Sequence, residues 1–552
     1  MTATAPVDVA VGSVPEPVSR ASRSDSLDGT LGLVRLVLRR DRLRIALWVV
    51  GLVGLVAVSA ASITSLYTTP VQLESYARTV RGNSALIIQA GPGYGLDTPT
   101  TGAVLMNETA LWTIIAAGLM SLFMVVRHTR TEEETERAEL VRAAPVGRNA
   151  ALAASMIGAG IANAVVAAGL AVSLIAYDLP IAGSVAFGLE VFGGGMVFAG
   201  VAAVAAQVAS SSRAALALGG VVIGVAFVLR AIGDVSNGML SWLSPIGWAQ
   251  SIRAFADERW WVLAISAIAV VGLVASAVAL QSRRDFGAGL IAQRPGPAAA
   301  APALSTPFAL AVRLQRTSVV GWAVGIGVLG FFYGIVADQA ESIIEDNPEM
   351  ADYLTQLGQG SITDVFLSTS VLIMALMASG FTVSSVLRLR SEEIAARADP
   401  LLATVVSRRR WASSHLSVAV IGTAGIMVVV GASVGLGFAL VSGDVGQVGR
   451  LVAAALAVVP AMLVLAGIGL ALDGAGPRWA PLTWGVLAWV VVAGLLGSVL
   501  DLPQWALNLS PFAHVPALPA DTFTWGPIVL LLVVAGLFMA IGFAALDRRD
   551  IA

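Results

Sequence analysis

The stretch Arg130–Arg148, RTEEETERAELVRAAPVGR, is a short charged segment set between two long apolar runs. It has a twin at Arg390–Arg408, RSEEIAARADPLLATVVSR. Laid over each other without a gap, the two share Arg130/Arg390, Glu132/Glu392, Glu133/Glu393, Arg137/Arg397, Ala138/Ala398, Ala143/Ala403, Val146/Val406 and Arg148/Arg408. Thr131/Ser391 and Glu139/Asp399 match in kind. A polar loop written twice in so apolar a chain points to two equivalent docking points on one face of a membrane.

The rest of the composition fits that setting. Of 552 residues, 57% are hydrophobic and 12% charged, against about 25% charged in soluble proteins. The apolar runs are long enough for helices rather than barrel strands, and helices satisfy their own backbones in lipid. The expected fold is an all-α polytopic membrane protein. The net charge of -2 gives no bulk attraction for nucleic acid, and without cysteine there is no disulfide or thiolate site. There is no lysine either, so all the basic residues are arginine. A standard nucleotide-binding P-loop needs a lysine at the phosphates. If the protein is ATP-driven, a separate subunit holds the ATPase.

Residues 1–30 are rich in Ser, Pro, Ala and Asp and read as a disordered cytoplasmic tail rather than a signal peptide. Leu31–Arg44, LGLVRLVLRRDRLR, is amphipathic with five arginines, either an interfacial helix or a plain positive-inside anchor. Six spans are expected in a first half, 31–285: Ile45–Leu66, Val104–Arg127, Ala150–Tyr177, Ser184–Ala209, Ala214–Ile232 and Trp261–Gln281. A Pro/Ala-rich linker at 286–305 reads as a flexible cytoplasmic tether. Six more follow in 306–552: Val319–Ala337, Val365–Leu387, Ala412–Val441, Leu451–Leu472, Trp479–Leu500 and Pro527–Leu546.

The halves match elsewhere too. Trp48-Val-Val-Gly51 aligns with Trp322-Ala-Val-Gly325, Leu243-Ser244-Pro245 with Leu509-Ser510-Pro511, and Arg283-Arg284-Asp285 with Arg548-Arg549-Asp550. An even number of spans per half makes this a parallel repeat, about twelve transmembrane helices in two six-helix copies. Arginines crowd the proposed inner loops, while the outer loop 338–364 carries acids and no arginine. That bias places both termini in the cytoplasm.

On a helix, Glu132, Glu136 and Glu139 share one acidic face, while Glu133/Arg137 and Glu393/Arg397 stand at pairing distance. The bland reading is two solvated loops. The functional one is a short helix at the membrane that engages a soluble partner, and two of them suit a partner dimer. Glu190 and Arg230 are the main charges within spans. They are expected to pair, to line an outward cavity, or to snorkel to the interface. Asn107, Glu108, Asn163 and Gln207 are weaker candidates for a polar lining. His128, His415 and His514 have no metal-ligand spacing. Gly193-Gly194-Gly195 and Gly330-x-x-x-Gly334 read as close helix contacts.

With GYGLDT, RTEEETERAELVRAAPVGR, LSPIGWAQSIRAFAD, RSEEIAARADPLLATVVSRRRW and LSPFAHVPALPAD in this order, the chain from about residue 31 onward resembles a known family. These are the permease subunits of ABC-2-type (type V-like) exporters, in the actinobacterial branch of polyketide-antibiotic, tetronasin-type exporters. The resemblance implies a multi-pass bacterial plasma-membrane permease without catalytic residues or a cofactor of its own. It further implies two copies of a separate ATPase carrying ATP and Mg, and a small hydrophobic or amphipathic substrate such as an antibiotic. It makes Glu132, Glu133, Glu136, Arg137 and Glu139, and Glu392, Glu393, Arg397 and Asp399, the coupling helices that dock on that ATPase. It makes the stretches around Ser244, Pro245 and Trp248, and around Ser510 and Pro511, re-entrant caps at the outer end. Plain outer loops with interfacial tryptophans are the alternative there. The second coupling copy departs from the first, with Ile394 and Ala396 for Glu134 and Glu136 and Pro400 for Leu140. The rival function is an ion-coupled secondary multidrug transporter with two parallel six-helix halves.

Overall fold

The computed structural model describes residues 26–81, 83–135, 139, 143–285, 287–291, 298–337, 361–497 and 502–549. Glu136, Arg137, most of the 338–364 loop, part of the 286–305 linker and nearly all of the N-terminal tail lie outside the described residues. The described chain is helical, with no strand. It is an all-α polytopic membrane protein: eleven of its helices are long and apolar enough to cross a membrane.

Two compact units form, Met1–Arg294 and Pro295–Ala552. The long helices of the first are α1 (Thr30–Leu66), α2 (Thr101–Val126), α3 (Ala150–Ala176), α4 (Ile181–Val208), α5 (Ser212–Val235) and α6 (Val262–Ser282). Those of the second are α7 (Pro307–Val336), α8 (Ile362–Val386), α9 (Arg408–Ser442), α10 (Gly446–Ala475), α11 (Leu482–Leu496) and α12 (Trp525–Arg548). Each unit packs the same pairs. In the first, α1 lies on α3, α2 on α4, α3 on α4 and α4 on α6. In the second, α7 lies on α9, α8 on α10, α9 on α10 and α10 on α12. Burial identifies the inner helices of each unit. The most apolar windows of α2, α4, α8 and α10 are 72% buried, against 17% for α1 and α6.

Three expectations are corrected. Leu31–Arg44 is not a separate interfacial element; α1 runs unbroken through it for 37 residues, about 55 Å. Nothing between Arg44 and Ile45 breaks a helix, so the backbone ignores the hydropathy boundary there. The second span does not stop at Arg127 either. Its helix continues through a π-helical turn, Arg127–Thr131, into Glu132–Glu134. The span expected at Trp479–Leu500 is a shorter helix, Leu482–Leu496 of 15 residues, preceded by turns after Gly476. It reaches about 22 Å, short of the roughly 30 Å apolar core, and residues 498–501 lie outside the described residues.

The glycine pairs act as expected. A Cβ on Gly334 of α7 would stand 2.1 Å from the Val434 carbonyl of α9, and one on Gly437 would stand 2.1 Å from the Phe331 carbonyl. Backbone meets backbone, which only glycine permits. In α4, a Cβ on Gly195 would stand 2.0 Å from Asn163 Oδ1 of α3. Gly334→Ala should therefore lower the unfolding midpoint in detergent, at a cost of about 1–3 kcal/mol for overpacking. Gly321→Ala, with no atom within 4 Å of the new carbon, should leave it unchanged. Equal midpoints for the two would refute the close contact.

Candidate coupling sites

At one end of the first unit, the helix leaving α2 presents three consecutive glutamates. Successive residues on a helix point about 100° apart, so the three reach different neighbours. Glu132 accepts from Arg40 Nη1 of α1 at 2.6 Å. Glu133 takes both forks of Arg284, just past α6, at 2.9 and 2.5 Å. Glu134 accepts from the backbone N–H and the hydroxyl of Ser212, at the start of α5. That acid faces the positive end of the α5 dipole. The triplet thus ties the segment to α1, α5 and α6 at once.

Arg130 completes the cluster. Its side chain is 1% exposed and donates to Glu133 at 2.8 Å and to the carbonyls of Ser210, Gly287 and Ala288. Arg284 also reaches Gln207 Oε1 at 2.7 Å. Nearby, Asp41 of α1, itself buried, meets His128 Nε2 at 2.5 Å, Arg44 at 3.1 Å and Arg127 at 3.3 Å. At the start of α3, Arg148 donates to the Gln281 carbonyl of α6, and the Gln281 amide donates back to the Arg148 carbonyl.

The second unit repeats the central pair. Glu393 accepts from Arg549 Nη2, just past α12, at 2.6 and 2.5 Å. Arg549 also donates to the Asp473 carbonyl at the end of α10, and Arg408 donates to the Arg549 carbonyl. Glu392 is paired with Arg388 at 2.7 Å and lies 3.7 Å from Arg397. The third tie is missing, because Ile394 stands in place of Glu134 and is 66% exposed.

The local i, i+4 pairing expected of Glu393 with Arg397 is therefore wrong, and Glu133 meets Arg130 and Arg284. Arg137 and Glu136 lie outside the described residues. Arg284 and Arg549 were not expected here, although both belong to the repeated Arg-Arg-Asp triplets that pointed to them. Glu139, Arg397 and Asp399 are exposed.

The polar residues within spans divide. Arg230 is fully buried and donates to the carbonyls of Ile87 at 3.1 Å and Ile88 at 2.6 Å, with Asp234 at 3.3 Å. It fastens α5 to the short helix Ser84–Ala90, so it neither snorkels nor pairs with Glu190. Glu190 is also fully buried, and neither carboxylate oxygen has a protein partner. Asn163 donates to Ser121 Oγ at 2.8 Å. Asn107 accepts from Tyr76 at 2.8 Å. The phenols of Tyr67 and Tyr76 are raised by burial and then by the Glu108 carboxylate, Tyr67 to about 12, so Tyr76 remains a donor at physiological pH. Ser244 caps the short helix Pro245–Gln250 and donates to the Ala226 carbonyl at 2.7 Å. Trp248 donates to the Trp242 carbonyl at 2.6 Å. Ser510 precedes the 3-10 turn Pro511–His514 and is buried with Pro511. Neither stretch is long enough to cross a membrane.

Two units of polytopic helices, each locked at one end by a glutamate from the segment after its second helix and an arginine from beyond its last, make a multi-pass membrane protein built as an internal repeat. The chain is 40% identical over 533 residues to the multidrug efflux system permease protein Rv1217c of Mycobacterium tuberculosis (strain ATCC 25618 / H37Rv), spanning 96% of each chain. Residues 304–546 match the family model described as the C-terminal domain of the multidrug efflux system permease Rv1217c. The chain belongs to this multidrug efflux permease family.

The locked glutamates carry a prediction. Glu133→Ala leaves Arg130 and Arg284 without their shared counter-charge and should destabilise the unit by about 3–5 kcal/mol. Arg284→Ala should cost a similar amount. The double variant should lose less than the sum, because the pair is one interaction. Glu139→Ala, at an exposed position, should stay within about 0.5 kcal/mol of the parent. Additive losses in thermal unfolding would show that the two side chains do not act as a pair.

Proposed function

We propose that this chain is the membrane permease of an ATP-driven exporter of hydrophobic or amphipathic drugs, in the actinobacterial tetronasin-type branch. The observation that carries the reading is the full-length likeness to a multidrug efflux permease, joined to two charged segments that are each tied to the end of their unit's last helix. Two copies of a separate ATPase, holding ATP and Mg, dock on Glu132–Glu139 and Glu392–Asp399. The arginines at that end support a cytoplasmic side for it, and for both termini, in a bacterial plasma membrane by the positive-inside rule.

Since Glu133 and Glu393 are spent inside the protein, the docking contacts fall to exposed neighbours: Glu139, Arg397, Asp399, Ile394 and Val405, the last 97% exposed. A push on the first segment reaches α1, α5 and α6 together through its three glutamates. That makes it a lever on the helix ends rather than a loop. The short helices at Ser244–Pro245 and Ser510–Pro511 act as outer caps, and Asn107 and Asn163 line the substrate route.

A second reading, an ion-coupled secondary transporter, draws on Glu190, since a buried carboxyl without a protein partner suits proton loading. One experiment separates the two. The permease is purified with a candidate ABC ATPase from the same genome, and drug efflux is followed in vesicles. Co-elution at one permease to two ATPases is expected, with assembly weakened at least about tenfold, some 1.4 kcal/mol, by Ile394→Asp and Val405→Asp together. Efflux that survives an inactive ATPase but collapses with a protonophore would replace the exporter reading with the ion-coupled one.

A further inference from the structure

A cavity of about 470 Å³ opens at the charged end of the first unit, between α1, the glutamate triplet, the start of α3 and the end of α6. Its floor is apolar and buried, made in part by Val37 and Leu152. Its rim is exposed: Leu36 and Arg40 on α1, Arg148 and Ala151 at the start of α3. Three arginines (Arg40, Arg148 and Arg284) face two glutamates (Glu132 and Glu133), a net positive lining.

Two of those arginines have capacity to spare. A guanidinium carries five N–H donors. Arg40 engages Glu132 through Nη1, and Arg148 engages the Gln281 carbonyl through Nη2. Their remaining donors stand at the rim, where an anionic oxygen cluster would satisfy them.

The approach to the rim is apolar. Leu36, Leu43, Leu47 and Val50 are all exposed and, with Arg40, fall on one stripe of α1 at alternating spacings of four and three. The stripe begins within the membrane span and ends at the cavity mouth. On α3, Ile157 and Ile161 are also exposed.

We infer that this cavity binds an anionic phospholipid of the surrounding bilayer. The phosphate sits against Arg40 and Arg148, and an acyl chain runs back along the Leu43–Leu47–Val50 stripe. A polar drug head would meet the same arginines, but the stripe leads to bilayer lipid, and lipid is present at far higher concentration. The second unit lacks the site's first arginine, because Leu314 stands at the position that matches Arg40 when Trp48 is laid on Trp322. The bound lipid would touch Glu132 and thereby bear on the segment that anchors α5 and α6.

The test uses the full-length permease without any ATPase, so its outcome is independent of the exporter reading. The protein is reconstituted from an equimolar mixture of phosphatidylglycerol and phosphatidylcholine and re-extracted in mild detergent. The retained lipids are then quantified by native mass spectrometry. Phosphatidylglycerol should be enriched, and Arg40→Gln and Arg148→Gln should each lower the enrichment about fivefold, as one basic contact to an anionic lipid is worth. Glu132→Gln should raise it, Ala151→Trp should block it without changing the charge, and Arg316→Gln, an exposed arginine of α7, should leave it unchanged. Equal retention of the two lipids, or unchanged enrichment in the Arg40→Gln/Arg148→Gln double variant, would overturn the site.

Discussion

The charged end of each unit depends on one largely covered glutamate–arginine pair, Glu133–Arg284 and Glu393–Arg549. A carboxylate on a solvated loop needs no partner. These are 12% and 8% exposed, and a charge removed from water to that extent must be countered. The partners lie 151 and 156 residues away in the chain. Each pair therefore closes a whole six-helix unit, fastening the exit of its second helix to the exit of its sixth. Once it is made, Arg130 can be buried against the carbonyls that follow α4 and α6, and the cavity beside it acquires a fixed wall.

The spans themselves need a different kind of fastening. In lipid there is no hydrophobic gain from putting one apolar helix on another, so close packing and polar contacts must hold them. Glycine does much of this. At Gly195 and Gly334 the neighbouring chain occupies the space a side chain would take. Polar contacts add to it, within the spans at Asn163–Ser121 and Thr382–Thr423 and at the ends. Arg230 closes one end of the first unit through backbone carbonyls, while the glutamate triplet closes the other. In the second unit Arg450 and Asp364 pair at 2.8 and 2.9 Å across the starts of α10 and α8.

How much of this could be read in advance follows from the range of each signal. Apolar length located the spans, because lipid tests every residue of a helix for it. Duplication located the two charged segments, because matched charges in an apolar chain stand out. Helix ends were less legible. Hydropathy changes at Ile45, yet no backbone breaker lies there and α1 continues. The partner of Glu393 was misjudged because the i, i+4 rule is local, and Arg397 stood within its reach while Arg549 did not. The repeated Arg-Arg-Asp was the available clue. Arg230 was misread for another reason: its partners are mostly backbone carbonyls, which leave no mark in a sequence, although Asp234 at i+4 was within the rule.

The two copies have diverged in how many helices each segment holds. In the first, Glu132, Glu133 and Glu134 each hold a different helix, so displacement of the segment is shared by α1, α5 and α6. In the second, Leu314 removes the tie to the first helix of the unit, and Ile394 removes the third, leaving Glu393 bound to Arg549 alone across the bundle. Glu392 turns back to Arg388 and Arg397 of its own segment. A force applied equally to both segments would thus move three helix ends in one unit and mainly one in the other. Ile394, standing where Glu134 makes the third tie, and Val405 face outward at a cost in hydration, and covering them would recover it. The second segment is therefore the weaker internal brace of the two.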